Sequence, residues 1–143
     1  MSAKRVLAIS AHPDDVEFTS GGSLARWVSE GWVASLVVCT DGGKGSRDPA
    51  VVPAELAVVR QAEQWAAARV PGITDVTCLG YPDGELSRAL DLMETLARHI
   101  RRQRPLAQQL HTAEQRAFNQ ILRLEPASLP TTPSKGHLAP PGQ

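Results

Sequence analysis

Two short runs of uninterrupted apolar residues set the first limit on what this chain can become. Arg5 to Ala11 contains Val-Leu-Ala-Ile without a polar break, and Trp32 to Thr40 contains Val33, Leu36, Val37, Val38 and Cys39. Runs this short and continuous fit strands buried on both faces, as in parallel sheets; a half-exposed strand would alternate. Between them, Ser20 to Gly31 carries Leu24, Trp27 and Val28 at the spacing of one helical face, and Gly31 is placed to end that helix. The alternation then repeats. Pro53 opens a second helix with Leu56, Val59, Ala62, Ala66 and Val70 as its expected apolar stripe. Ile73 to Leu79 reads as a third strand, and Arg88 to Arg104 as a third helix with Leu92, Leu96 and Ile100 on one side. Strand followed by helix three times predicts an α/β fold, a three-layer Rossmann-like parallel sheet flanked by helices, over residues 1–105.

Beyond Pro105 the pattern changes, and no fourth strand is expected. Residues 106–124 are glutamine-rich, with Leu110, Ala113, Ala117 and Ile121 at helical spacing, and read as a helical C-terminal appendage. Residues 125–143 hold Pro126, Pro130, Pro133, Pro140 and Pro141 among Ser, Thr and Gly. Such a composition buries too little apolar surface to offset its ordering entropy, so this segment reads as a disordered tail. The sheet is accordingly expected to be truncated, with an uncovered edge.

Charge excludes some partners. Fifteen basic and fifteen acidic side chains cancel across 143 residues, which argues against a nucleic-acid or anionic-membrane surface. The first apolar run is too short for a signal peptide, and no stretch approaches the roughly 20 residues of a membrane span, so a cytoplasmic location is expected. Cys39 and Cys78 both lie in apolar runs and read as buried thiols rather than as a disulfide or a metal site.

The chemistry concentrates in Ala11-His12-Pro13-Asp14-Asp15-Val16-Glu17, directly after the first strand. Ligands of open α/β sheets bind beyond the carboxyl ends of the strands. Three carboxylates and an imidazole within six residues are costly to desolvate together unless a cation sits among them. One His nitrogen and one carboxylate are acceptable zinc ligands, and a further carboxylate could take a proton from a metal-bound water. The plain alternative is a helix N-cap, with Asp14 or Asp15 accepting amide hydrogen bonds. The Gly-rich segment Gly42 to Ser46 lacks P-loop spacing, and acids at the first strand's exit would repel a pyrophosphate, which argues against a nucleotide site.

The string AHPDDVE resembles the N-terminal signature of the LmbE-like, PIG-L family of zinc-dependent deacetylases, which remove N-acetyl groups from sugar conjugates. The resemblance continues through TDGGKGSRDP (Thr40 to Pro49), Arg60-Gln61-Ala62-Glu63 and LGYPDGEL (Leu79 to Leu86), over roughly residues 4 to 105. It implies His12 and Asp15 as ligands of Zn2+, Asp14 as the general base, and Arg60 and Asp83 as residues that hold an N-acetylated sugar conjugate. Plainer roles exist for the last two: Arg60 could pair with Glu63 on the helix surface, and Asp83-Gly84 could be only a turn. Glu17 reads as a supporting residue.

The family's second signature, a downstream His-Pro-Asp-His that supplies the third zinc ligand, does not occur here. Of the other histidines, His99 reads as solvated, His137 lies in the tail, and His111 reaches the pocket only if its segment folds back. Three readings remain open: a metal-dependent N-deacetylase, a catalytically incompetent fragment acting as a structural or partner-binding domain, and a homo-oligomer in which a second copy completes the site.

Overall fold

The computed structural model describes residues 3–105 and 107–111. They form β1 (Arg5–Ser10), α1 (Asp15–Ser29), β2 (Val33–Thr40), α2 (Pro53–Arg69), β3 (Asp75–Tyr81), a 3-10 turn (Leu86–Arg88), α3 (Leu92–Gln103) and β4 (Ala107–His111). All strand pairs are parallel, and the sheet order is β3-β2-β1-β4. The chain steps from β1 to β2 to β3 in one direction, so right-handed crossovers put α1 and α2 on one face. The next connection returns past β1 to β4, which puts α3 on the other.

The core sorts the same way. Val6, Ala8, Leu36 and Val38 pack with Val16, Leu24 and Trp27 of α1 and Ala68 of α2. Leu7, Ile9, Val37 and Cys39 pack with Leu92, Leu96 and Ile100 of α3. Both faces being covered, every residue of β1 and β2 after the first is buried, which is why these strands read as continuous apolar runs. The expected three-layer α/β architecture is therefore observed.

Three expectations are corrected. Residues 107–111, expected as the start of a helix, form β4 against β1. Pro105 ends α3, Arg104 takes a left-handed backbone at φ 45°, and pairing with β1's free edge overrides the weak local helical pattern. Residues 112–143, which include the rest of the expected helix and the tail, lie outside the described residues. The helix expected from Ser20 starts at Asp15, its first turn carrying Asp15 and Glu17 where acids suit the helix dipole. The expected apolar stripe of α2 does not face inward: Val59 is 52% and Val70 88% exposed, whereas Gln64 and Ala68 are buried and Arg60 is half-buried. This helix lies over the polar exit of β1, so its inner face is partly polar and apolar residues are left outside.

Both cysteines are free. Burial pushes the Cys39 thiol up to about 12, with the Asp15 charge adding to the effect, so it remains an inert core thiol at neutral pH. Among the described residues, no helix is long and apolar enough to cross a membrane.

Candidate metal centre

β1 leaves the sheet at Ser10, and a four-residue turn carries the chain into α1. The turn is pinned on two sides. Ser10 Oγ donates to the His12 carbonyl at 3.2 Å, and the Thr40 amide at the end of β2 donates to the Ala11 carbonyl at 2.7 Å. Asp14 then adopts φ 77°, a left-handed backbone that Asp tolerates better than most residues. Strained positions of this kind persist when their surroundings over-determine them. Here Gln64 Oε1 accepts the Asp14 N–H at 2.8 Å, and Arg60 donates to both the Pro13 carbonyl and Asp14 Oδ2 at 2.9 Å.

The capping alternative does not describe these acids. Asp14 sits at the N-cap of α1 without a side-chain capping bond, and Asp15 Oδ2 accepts the amide of His12, outside the helix, at 2.9 Å. Their side chains serve other neighbours. His12 lies between two carboxylates, with Nδ1 3.4 Å from Asp15 Oδ2 and Nε2 3.1 Å from Asp83 Oδ1. The hydrogen bond to Asp15 raises the His12 pKa against the opposing effect of burial, and the Asp83 charge adds to the rise. Burial alone would raise the Asp15 pKa, but the hydrogen bonds from the His12 ring and backbone outweigh it and hold that carboxyl below its usual value.

This donor set suits a cation. Two ligands about 2.1 Å from a tetrahedral zinc stand roughly 3.4 Å apart, and Nδ1 and Oδ2 stand 3.4 Å apart. A metal-bound imidazole ordinarily gives its second nitrogen to a carboxylate, the place Asp83 takes on Nε2. Among the described residues, however, no group of three His, Cys, Asp or Glu side chains is arranged to hold a metal.

Asp83 arrives through an irregularity in β3. The register with β2 shifts between Val38 and Thr40, and Gly80 takes φ 72°, a local bulge that carries the following loop toward the exit of β1. Asp41 Oδ1 accepts the amides of Gly43 and Asp83, while Asp83 Oδ2 accepts the Lys44 amide at 3.1 Å. Both Asp83 oxygens are thus engaged within the protein, one by His12 and one by the Lys44 amide. Gly84 does form a turn at φ 78°, but Asp83 is more than part of it.

Arg60 faces Asp14 and Pro13 rather than pairing with Glu63. A Cβ on Gly45 would meet its guanidinium, so a larger residue there would require Arg60 to shift. His99, expected to be solvated, is half-buried on α3 with a buried, unpartnered Nδ1, and burial lowers its pKa.

Two residues of this cluster escaped the sequence reading, Asp41 and Gln64. Gln64 is 3% exposed and clamps the turn, accepting from Asp14 and donating Nε2 to Glu17 Oε1 at 2.6 Å. Its signal was its place four residues after Arg60, a second polar residue on that helical face. Gln64→Leu leaves the part-buried Asp14 amide and Glu17 carboxylate without this partner. It is expected to cost about 1–3 kcal/mol of stability, read by urea unfolding; an unchanged midpoint would deny the clamp.

Comparison with known proteins places this architecture. The sequence profile of the PIG-L family, GlcNAc-PI de-N-acetylase, matches residues 7–120. The chain belongs to the PIG-L family. A 1D-myo-inositol 2-acetamido-2-deoxy-alpha-D-glucopyranoside deacetylase of Tsukamurella paurometabola is 38% identical over 87 residues, 59% of this chain and 28% of that protein. The N,N'-diacetylchitobiose deacetylase of Pyrococcus horikoshii superposes with a TM-score of 0.70 at 32% identity, covering 75% of this chain and 40% of that one. GalB, the 4-carboxy-2-hydroxymuconate hydratase of Pseudomonas putida, superposes with a TM-score of 0.65 at 27% identity over 71% of this chain and 44% of its own. This PIG-L chain therefore spans less than half the length of each of these relatives, and its match to the family continues past Pro105 into β4.

Proposed function

We propose that the chain is a metal-dependent hydrolase of the PIG-L type that removes the acetyl group from an N-acetylglucosamine-type sugar conjugate. The observation that carries this reading is the His12–Asp15 pair at 3.4 Å, buttressed by Asp83, with the Asp14 carboxylate 57% exposed beside it. The family's description and the names of the inositol and chitobiose deacetylases share an N-acetylated amino sugar, which supports the substrate class. GalB shows that a similar fold also serves a hydratase, so the fold alone does not choose the reaction.

In this reading His12 Nδ1 and Asp15 Oδ2 hold zinc, and Asp83 fixes the imidazole's orientation through Nε2. When bound, zinc supplies a Lewis acid that polarises the acetamide carbonyl and makes water nucleophilic near neutral pH. Asp14 would serve as the base toward an attacking water; Arg60 anchors its Oδ2 and sets the direction of the carboxylate. The guanidinium's remaining donors are available to sugar hydroxyls.

The test is acetate release from diacetylchitobiose and from a glucosamine–inositol conjugate in the presence of zinc. Asp14→Asn should lower the rate by about 10²- to 10⁴-fold, the usual contribution of a general base, while the variant keeps its zinc. Equal rates in the two proteins would remove Asp14 from the chemistry. A catalytically incompetent structural or partner-binding domain is the second reading, favoured by the absence, among the described residues, of a group of three His, Cys, Asp or Glu side chains arranged to hold a metal. It predicts a folded chain that neither holds zinc nor releases acetate. Completion of the site by a second copy instead predicts activity that falls on dilution.

A further inference from the structure

We propose that the outer face of α2 is where a second copy of this chain docks, the two helices lying antiparallel about a two-fold axis. A surface helix normally turns its apolar stripe inward, and α2 does the reverse. Val58, Val59, Ala62, Trp65 and Ala66 follow one another along one helical face, and all five are exposed, Val58 to 69% and Trp65 to 48%. The inner face is the polar one, where Arg60 and Gln64 hold the Asp14 turn. Apolar residues scattered singly on a surface are ordinary, whereas a contiguous patch marks an interaction site. The patch does not stop at the helix. Trp65 also lines a crevice with Arg69, Ile73, Thr74 and Val76, which carries it on to the edge strand β3.

The symmetry of the stripe points to its occupant. Glu55 in the first turn and Arg69 in the last frame it, and Ala62 stands midway between them. A two-fold axis through Ala62 therefore sets Glu55 of each copy against Arg69 of the other. Val59 then faces Trp65 of the second copy, and Val58 faces its Ala66. A two-fold contact requires a self-complementary surface of this kind. The small Ala62 on the axis lets the helices approach toward the close end of the usual packing distance, about 8 Å. The chain's own residues 112–143 are less well placed, because they follow β4, at the sheet edge opposite β3. Arg60 and Gln64 lie on the other face of α2, so this contact is independent of the metal-dependent reading.

The test is sedimentation equilibrium of the full chain and its charge variants. Wild type should dimerise. Ala62→Glu, which sets two carboxylates against each other on the axis, should weaken the dimer by more than about 10-fold. Glu55→Arg and Arg69→Glu should each weaken it about 5- to 30-fold. An equimolar mixture of those two should pair as tightly as wild type, since each offers the other the opposite charge. That recovery cannot come from misfolded chains, so it decides the matter even if Ala62→Glu fails to fold. Wild-type affinity in folded Ala62→Glu, or a mixture no tighter than its components, would overturn the inference. So would a wild-type chain that stays monomeric at millimolar concentration. Trp27 and Trp32 are buried, so iodide quenching reads Trp65, and a monomer that shields it would assign this face to residues 112–143 instead.

Discussion

Replacing Trp27 with alanine should destabilise the fold by about 3–5 kcal/mol. Trp27 is 2% exposed and stacks on Trp32 with ring centroids 5.5 Å apart and planes 20° from parallel. It sits in the cluster that joins α1 to β1 and β2, alongside Leu24, Val6 and Leu36. Truncation opens a cavity between helix and sheet and removes the ring contact, and nothing rigid in that layer can collapse to fill it. A domain of this size holds roughly 5–15 kcal/mol in all, so the loss takes a large share and should appear as a much lower urea midpoint. A change under about 1 kcal/mol would mean that the α1 layer is not packed as described.

His12→Ala should abolish zinc binding while leaving the chain folded. His12 is part-exposed at a strand exit, with its side chain 30% accessible, and it contributes nothing to either apolar cluster. Its removal leaves Asp15 and Asp83 without their imidazole and takes away one of the two residues expected to hold zinc. Asp83→Asn makes a graded companion. It keeps a group on Nε2 but removes the charge, and should weaken zinc by about 10- to 100-fold. Equal affinities for Asp83→Asn and wild type would return Asp83 to the substrate-holding place expected from its sequence.

The layers were legible in the sequence because burial on both faces leaves a run with no polar break. β1 and β2 are such runs, and the inward spacing of Leu92, Leu96 and Ile100 on α3 is observed at 2%, 2% and 4% exposure. The face of α2 was not legible. Periodicity assumes that the inner face is apolar, and here that face carries Arg60 and Gln64 because it covers a polar turn. β4 was missed for a related reason. A glutamine-rich edge segment has no continuous apolar run, and its conformation comes from pairing with β1 rather than from its own pattern.

At the site, the concentration of His12, Asp14 and Asp15 was visible as a cluster of charge at a strand end. The contact between His12 and Asp83, 71 residues apart, was not, because it depends on a one-residue shift in β3. Asp41 and Gln64 act through backbone amides, and a sequence does not announce which amides its polar side chains will meet.

The measurement that bears most directly on this account is the zinc content of the folded wild-type chain, determined by elemental analysis beside His12→Ala. The account predicts about one zinc per wild-type chain, the occupancy of a single site, and background zinc in the variant. A folded wild-type chain that stays empty in excess zinc would contradict it, as would a His12→Ala chain that holds zinc as tightly as wild type.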